Sequence, residues 1–125
     1  MSQFAEDTAV ERVGENLWRG HVRAGWRIGA VPNGGYVLAL AGQALRQALD
    51  HPDPLSVNAF YLAPAVLGPI DCRVDVLRRG RNTTHASVQM VHETEGRARG
   101  QAYSLVFLVE GIGIVAIGIL VALLP

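Results

Sequence analysis

Hydrophobic and polar positions change period along the chain, and the changes mark its elements. Residues 1–15 are mostly polar without a period and predict an irregular lead-in. Leu17–Val22 and Trp26–Ile28 are short apolar or aromatic stretches separated by Ala24-Gly25, which predicts a small strand pair. From Tyr36 to Leu49 the chain has no proline, is rich in Ala and Leu, and predicts a helix. Asn33 is placed to cap its start, and Asp50-His51-Pro52-Asp53-Pro54 ends it. Val37, Leu38, Ala41, Ala44, Leu45, Ala48 and Leu49 form its main stripe, with Ala39 and Leu40 covering much of the rest. Only Gln43, Arg46 and Gln47 make a polar side, so the pattern predicts a helix buried nearly all round.

The pattern then shifts to period two. Leu55–Leu62 is rich in strand-forming side chains, and Ile70–Val76 alternates strictly. Ile70, Cys72, Val74 and Val76 fall on one face, Asp71, Arg73 and Asp75 on the other. Arg78–Asn82 reads as a turn and Thr83–Val91 as the returning strand, with Ala86, Val88 and Met90 inward. Glu93-Thr94-Glu95-Gly96 makes the next turn and Ala98–Phe107 a further strand. One long helix against a curved antiparallel sheet is a two-layer α+β arrangement. The first 107 residues read as one domain, followed by an apolar tail from 108 to 125.

Composition narrows the chemistry. The 125 residues include 11 acidic and 11 basic ones, all of the latter Arg, and the formal charge is zero. Neutrality gives no general attraction to nucleic acid. The absence of Lys excludes a lysine nucleophile, a Schiff base and a P-loop lysine. The single Cys72 excludes an internal disulfide and a cysteine-based zinc cluster. Its place in the inward row reads as a buried structural thiol. No basic n-region or apolar run opens the chain, since Glu6, Asp7 and Glu11 follow Met1–Gln3, so the expected compartment is the cytoplasm.

In that order the sequence resembles the thioesterase-like superfamily with a hotdog fold, above all the N-terminal half of acyl-CoA thioesterase II (TesB-like) proteins. The residues that carry the resemblance begin with Trp26-Arg27-Ile28, Pro32–Tyr36 and the Ala-rich helix. Asp53–Val57, Phe60–Pro64, Gly68-Pro69 and Val76–Asn82 continue it, over residues 4–107. It implies an acyl-CoA or related thioester as ligand, no cofactor, and pairing of two hotdog domains, as a homodimer or with another hotdog chain.

Thioester hydrolysis needs an activated water and a donor for the carbonyl oxygen. Asn33-Gly34-Gly35, at the start of a buried helix, offers backbone N–H groups and the positive end of the dipole. In single-domain hotdog thioesterases a His-Gly-Gly occupies this place, so Asn33 stands for the His. Those proteins often carry a carboxylate two turns further on, where this chain has Leu40-Ala41-Gly42-Gln43. In TesB-like proteins the Asp, Thr and Gln that activate water belong to the second domain. No general base is therefore assigned, and a non-catalytic pairing subunit is the alternative. Trp26 and Tyr36 are candidate walls of an acyl pocket, and Arg78 and Arg81 candidate contacts for CoA phosphates. His21, His51, His85 and His92 are scattered, and Asp71 with Asp75 reads as a solvated face.

After Arg99 the only charge is Glu110. Gly111–Leu124, 14 residues, is too short to span a bilayer alone. The tail reads as a membrane anchor, a packed element or an altered gene end, the last two together being favoured.

Overall fold

A computed structural model of the chain describes residues 2–51 and 53–92, and the backbone of 102–110. Six strands form one sheet in the order β1-β2-β6-β7-β8-β5. They are β1 (Glu11–Gly14), β2 (Leu17–Val22), β5 (Ser56–Phe60), β6 (Gly68–Arg79), β7 (Thr83–Val91) and β8 (Ala102–Glu110). The short strands β3 (Arg27–Ile28) and β4 (Val31–Pro32) pair with each other. Helix α1 (Gln3–Asp7) opens the chain, and α2 (Gly34–Ala48) is the long helix.

The lead-in is therefore ordered rather than irregular. Ser2 Oγ accepts from Ala5 N–H and caps α1, and β1 lies along β2. The expected pair of Leu17–Val22 with Trp26–Ile28 does not form: β2 pairs with β1 on one side and β6 on the other. Its partners are chosen by the core, where Trp18 stands opposite Cys72, and Cys72 opposite Met90. Arg78 lies in β6 opposite His85, past an irregularity at Val76/Arg78, so the turn is shorter than expected. At that turn Gly80 N–H donates to Thr83 O at 2.7 Å, and a Cβ on Gly80 would stand 2.6 Å from the same oxygen. The close approach requires glycine.

The α+β expectation holds, with α2 packed across one face of the sheet. Val37, Leu40, Ala41, Ala44 and Leu45 are buried against Trp18, Val22, Ile70, Cys72, Val74, Ala86, Val88 and Met90. This is the alternation read from 70–76 and 83–91, and removing this apolar surface from water is the main stabilising term. The helix is not buried all round, because Leu38, Ala39, Gly42 and Gln43 are only partly covered. Its polar end is tied down by Trp18 Nε1 donating to Gln47 Oε1 at 2.9 Å, while Gln47 Nε2 donates to Val10 O.

Burial pushes the Cys72 thiol up to about 12, with the neighbouring Asp71 charge adding to it, so the group is an inert core residue. Asp71 is not solvated. It is buried, and Arg19 grips it with Nε at 2.7 Å and Nη2 at 3.3 Å from its two oxygens.

Tyr103–Phe107 lie in β8, which continues to Glu110 opposite Thr83. The expected turn at 93–96 and the tail beyond Glu110 fall outside the described residues. Among the described residues no helix is long and apolar enough to cross a membrane.

Candidate functional site

Asn33 is the N-cap of α2. Its Oδ1 accepts from Gly35 N–H at 2.7 Å and from Tyr36 N–H at 3.4 Å. Its own N–H donates to Trp26 O at 2.8 Å, fixing the entry of the chain from β4. Two of the helix-start donors expected to face a ligand are thus consumed by the cap. The Gly34 N–H makes no hydrogen bond among the described residues and remains available, at the positive end of the helix dipole.

A cavity of about 360 Å³ opens beside Gly34. Val31, Pro32, Gly34 and Val37 form one wall, and the segment from Tyr61 to Ala65 the other. Tyr61, absent from the sequence-based candidates except as part of a motif, rests on Gly34. Its hydroxyl donates to Gly34 O at 2.9 Å, and a Cβ on Gly34 would lie 3.3 Å from its ring. Burial raises the Tyr61 phenol above its ordinary value, so it is protonated at neutral pH. Among the described residues, no His, Asp or Glu lines the cavity.

Tyr36 and Trp26 face each other instead of the cavity. Their rings stack at 5.7 Å, and Phe4 meets Trp26 edge-on at 5.1 Å. Tyr36 is buried, its oxygen accepting from Arg23 N–H and lying 2.9 Å from both Asp7 O and His21 O. Trp26 Nε1 donates to Asp7 Oδ2 at 2.9 Å. Together they bind α1, β2 and α2 into a latch.

Hydrogen bonds from Trp26 first, then Gln3, hold the Asp7 carboxyl below the ordinary range. Because the folded value is the lower one, its contribution is present above the unfolded value of about 3.9 and is lost as pH falls through the folded value. The melting-temperature gap between wild type and Asp7→Ala is therefore expected to be full above about pH 4 and to close below it. A gap independent of pH would refute the ionic role of this latch.

Arg78 and Arg81 are exposed at the opposite end of α2. His51, just past the helix C-terminus, marks the place: its ring nitrogens lie 2.7 Å from Thr84 Oγ1 and 3.2 Å from Arg81 O. Asp50 pairs there with Arg79 at 3.7 Å. A helix of 15 residues spans about 21 Å, so one domain does not bring these arginines to Gly34. The other histidines serve no common site. His92 is buried, with Nε2 accepting from Val66 N–H and Nδ1 lying 2.8 Å from Pro69 O, so both ring nitrogens are held by the backbone. His85 and His21 are half-buried on the sheet.

Residues 22–108 match the family profile of the acyl-CoA thioesterase N-terminal domain. A curated thioesterase-like protein, TwmA of Talaromyces wortmannii, is 31% identical over 90 residues, covering 68% of this chain and 26% of that protein. A candidate thioesterase II from Thermobifida fusca YX superposes with a TM-score of 0.77 at 28% identity, covering 98% of this chain and 44% of that one. A protein of unknown function with a hotdog fold from Alicyclobacillus acidocaldarius gives 0.70 at 25% identity, covering 100% of this chain and 45% of that one. The chain therefore spans about a quarter of that curated relative and under half of each of these two structures.

Proposed function

From the premise that the chain belongs to the acyl-CoA thioesterase N-terminal domain family, we propose that it is the acyl-CoA-binding half of a paired hotdog assembly, holding the thioester carbonyl at the start of α2. The observation that carries this reading is the cavity of about 360 Å³ against Gly34. Its apolar walls suit an acyl chain, and the Gly34 N–H suits the carbonyl oxygen. Gly34 has no Cβ to keep that oxygen away. Asn33, Gly35 and Tyr36 build the turn that presents it, and Trp26 supports Tyr36 from behind.

Two features support pairing with a second hotdog domain, taken as a second copy. The partly covered Leu38, Ala39 and Gly42 leave one side of α2 open. The sheet also has unlike edges. β1 carries Glu11 and Arg12 and a register shift, whereas β5 is uncharged and pairs with β8 in unbroken register. An uncharged strand at the edge of the sheet, with none beyond it among the described residues, is a template for another strand. In an antiparallel pair, Arg78 and Arg81 of one copy approach the α2 start of the other, where they would meet CoA phosphates. The compartment is taken as the cytoplasm, where a free thiol such as Cys72 stays reduced.

The Gly34 N–H is the proposed oxyanion donor, and no acid or imidazole is among the described lining residues of the cavity. No group that activates water is therefore assigned in this chain or its copy, and the pair is read as a binder. Saturating acyl-CoA, at about 100 times Kd, is expected to stabilise the purified chain by about 2.7 kcal/mol in thermal unfolding. Thiol release in the same samples is expected to stay at background. No stabilisation by any acyl length would end this reading, and rapid thiol release would place the base within this chain.

A further inference from the structure

The cavity beside Gly34 has one polar side chain among its described lining residues, that of Tyr61. Its hydroxyl donates to a carbonyl that has little need of it. Gly34 O lies in the first turn of α2, where the helix itself supplies a donor four residues on. A carbonyl with two lone pairs accepts the Tyr61 bond as a second one, so releasing it strands no acceptor. Tyr61 is half-exposed, which leaves its ring room to turn. Its protonated phenol sits at the same glycine whose N–H is unbonded among the described residues.

We propose that the Tyr61 hydroxyl is a second hydrogen-bond donor to the ligand's carbonyl oxygen, parked on Gly34 O in the free protein and transferred to the thioester on binding. The inference rests on the acyl-CoA reading and adds to it a residue that touches the reacting carbonyl. Two donors converging on one oxygen polarise it more than one. The phenol bond strengthens further as negative charge develops there, because hydrogen bonds to an ionised acceptor are roughly twice as strong. Tyr61 therefore favours a charged oxygen over a neutral one, the property required of an oxyanion donor.

Isotope-edited infrared spectroscopy reads this bond directly. The probe is a hexanoyl-CoA analogue in which a methylene replaces the thioester sulfur, labelled with 13C at the carbonyl, so that it cannot be hydrolysed. Bound to the full chain, its carbonyl stretch is expected to move up in Tyr61→Phe and down when 3-fluorotyrosine, a stronger donor, replaces Tyr61. Affinity for Tyr61→Phe is expected to change less than about 3-fold, because in the wild type the hydroxyl exchanges one neutral carbonyl acceptor for another, so the carbonyl stretch is the deciding readout. An unchanged stretch in both saturated variants overturns the inference while leaving the acyl-CoA reading intact, and the same holds if Tyr61→Phe only lowers the melting temperature. Failure of the wild-type chain to bind the probe overturns both.

Discussion

Tyr36→Phe is expected to lower the melting temperature by about 10 °C, corresponding to a loss of about 2–4 kcal/mol. The substitution removes one oxygen and keeps the ring, so stacking on Trp26 at 5.7 Å and burial against the core are retained. What disappears is the meeting point of three backbone groups. Arg23 N–H loses its acceptor, and Asp7 O and His21 O lose the phenol proton they share at 2.9 Å each. Each polar group stranded away from water costs about 1–3 kcal/mol, which is where the expected size comes from. Burial, the main influence, raises the Tyr36 phenol above its ordinary value, so the bond is formed throughout the neutral range. Circular dichroism melts at pH 7 measure the effect. A change below about 0.5 kcal/mol, the level of an ordinary surface substitution, would show that the latch does not hold α1 and β2 to α2.

Gly34→Val is expected to weaken acyl-CoA binding on the order of 100-fold, about 2.7 kcal/mol, while leaving the fold in place. At this position a Cβ already stands 3.3–3.5 Å from three atoms of Tyr61. The two further methyl groups of valine must therefore displace that ring or enter the cavity. Either way the carbonyl is held off the Gly34 N–H. Stability should move little, because position 34 is the first of the helix and replacing glycine there restricts the unfolded chain. Calorimetric titration alongside thermal unfolding separates the two effects. Wild-type affinity in a folded Gly34→Val chain would move the carbonyl site away from α2.

The start of α2 was legible because its determinants are local: a capping residue, two glycines and a proline-free run. Strand β6 was legible through strict alternation, and the inward rows of β6 and β7 fell where the periodicity put them. Strand partnership was not legible. β2 pairs with β6, some fifty residues away, and nothing in the local spacing of Leu17–Val22 says so. α1 and β1 escaped notice because both are short and polar, without enough apolar positions to show a period. Asp71 looked solvated because its alternation with Arg73 and Asp75 gave no sign of Arg19 on the neighbouring strand. Asn33-Gly34-Gly35 is legible as a capped helix start, but which amides the cap consumes is not. Trp26 and Tyr36, read from the sequence as candidate walls of an acyl pocket, stack on each other, and their polar edges meet α1. Tyr61 was hidden because a tyrosine at a strand end carries no signal until the fold lays it over Gly34.

In the pairing proposed above, the unlike edges of the sheet would bear on stoichiometry. Among the described residues, a strand that joins through β5 covers the uncharged, regular edge and leaves on each side the charged, irregular β1. Two copies meeting in the proposed way would form a closed, two-fold object with blunt ends, and growth would stop at two. A sheet with two open edges would add copies without limit, toward fibres. In the proposed pair, the few residues of β1, Glu11–Gly14, would act as a chain terminator for assembly.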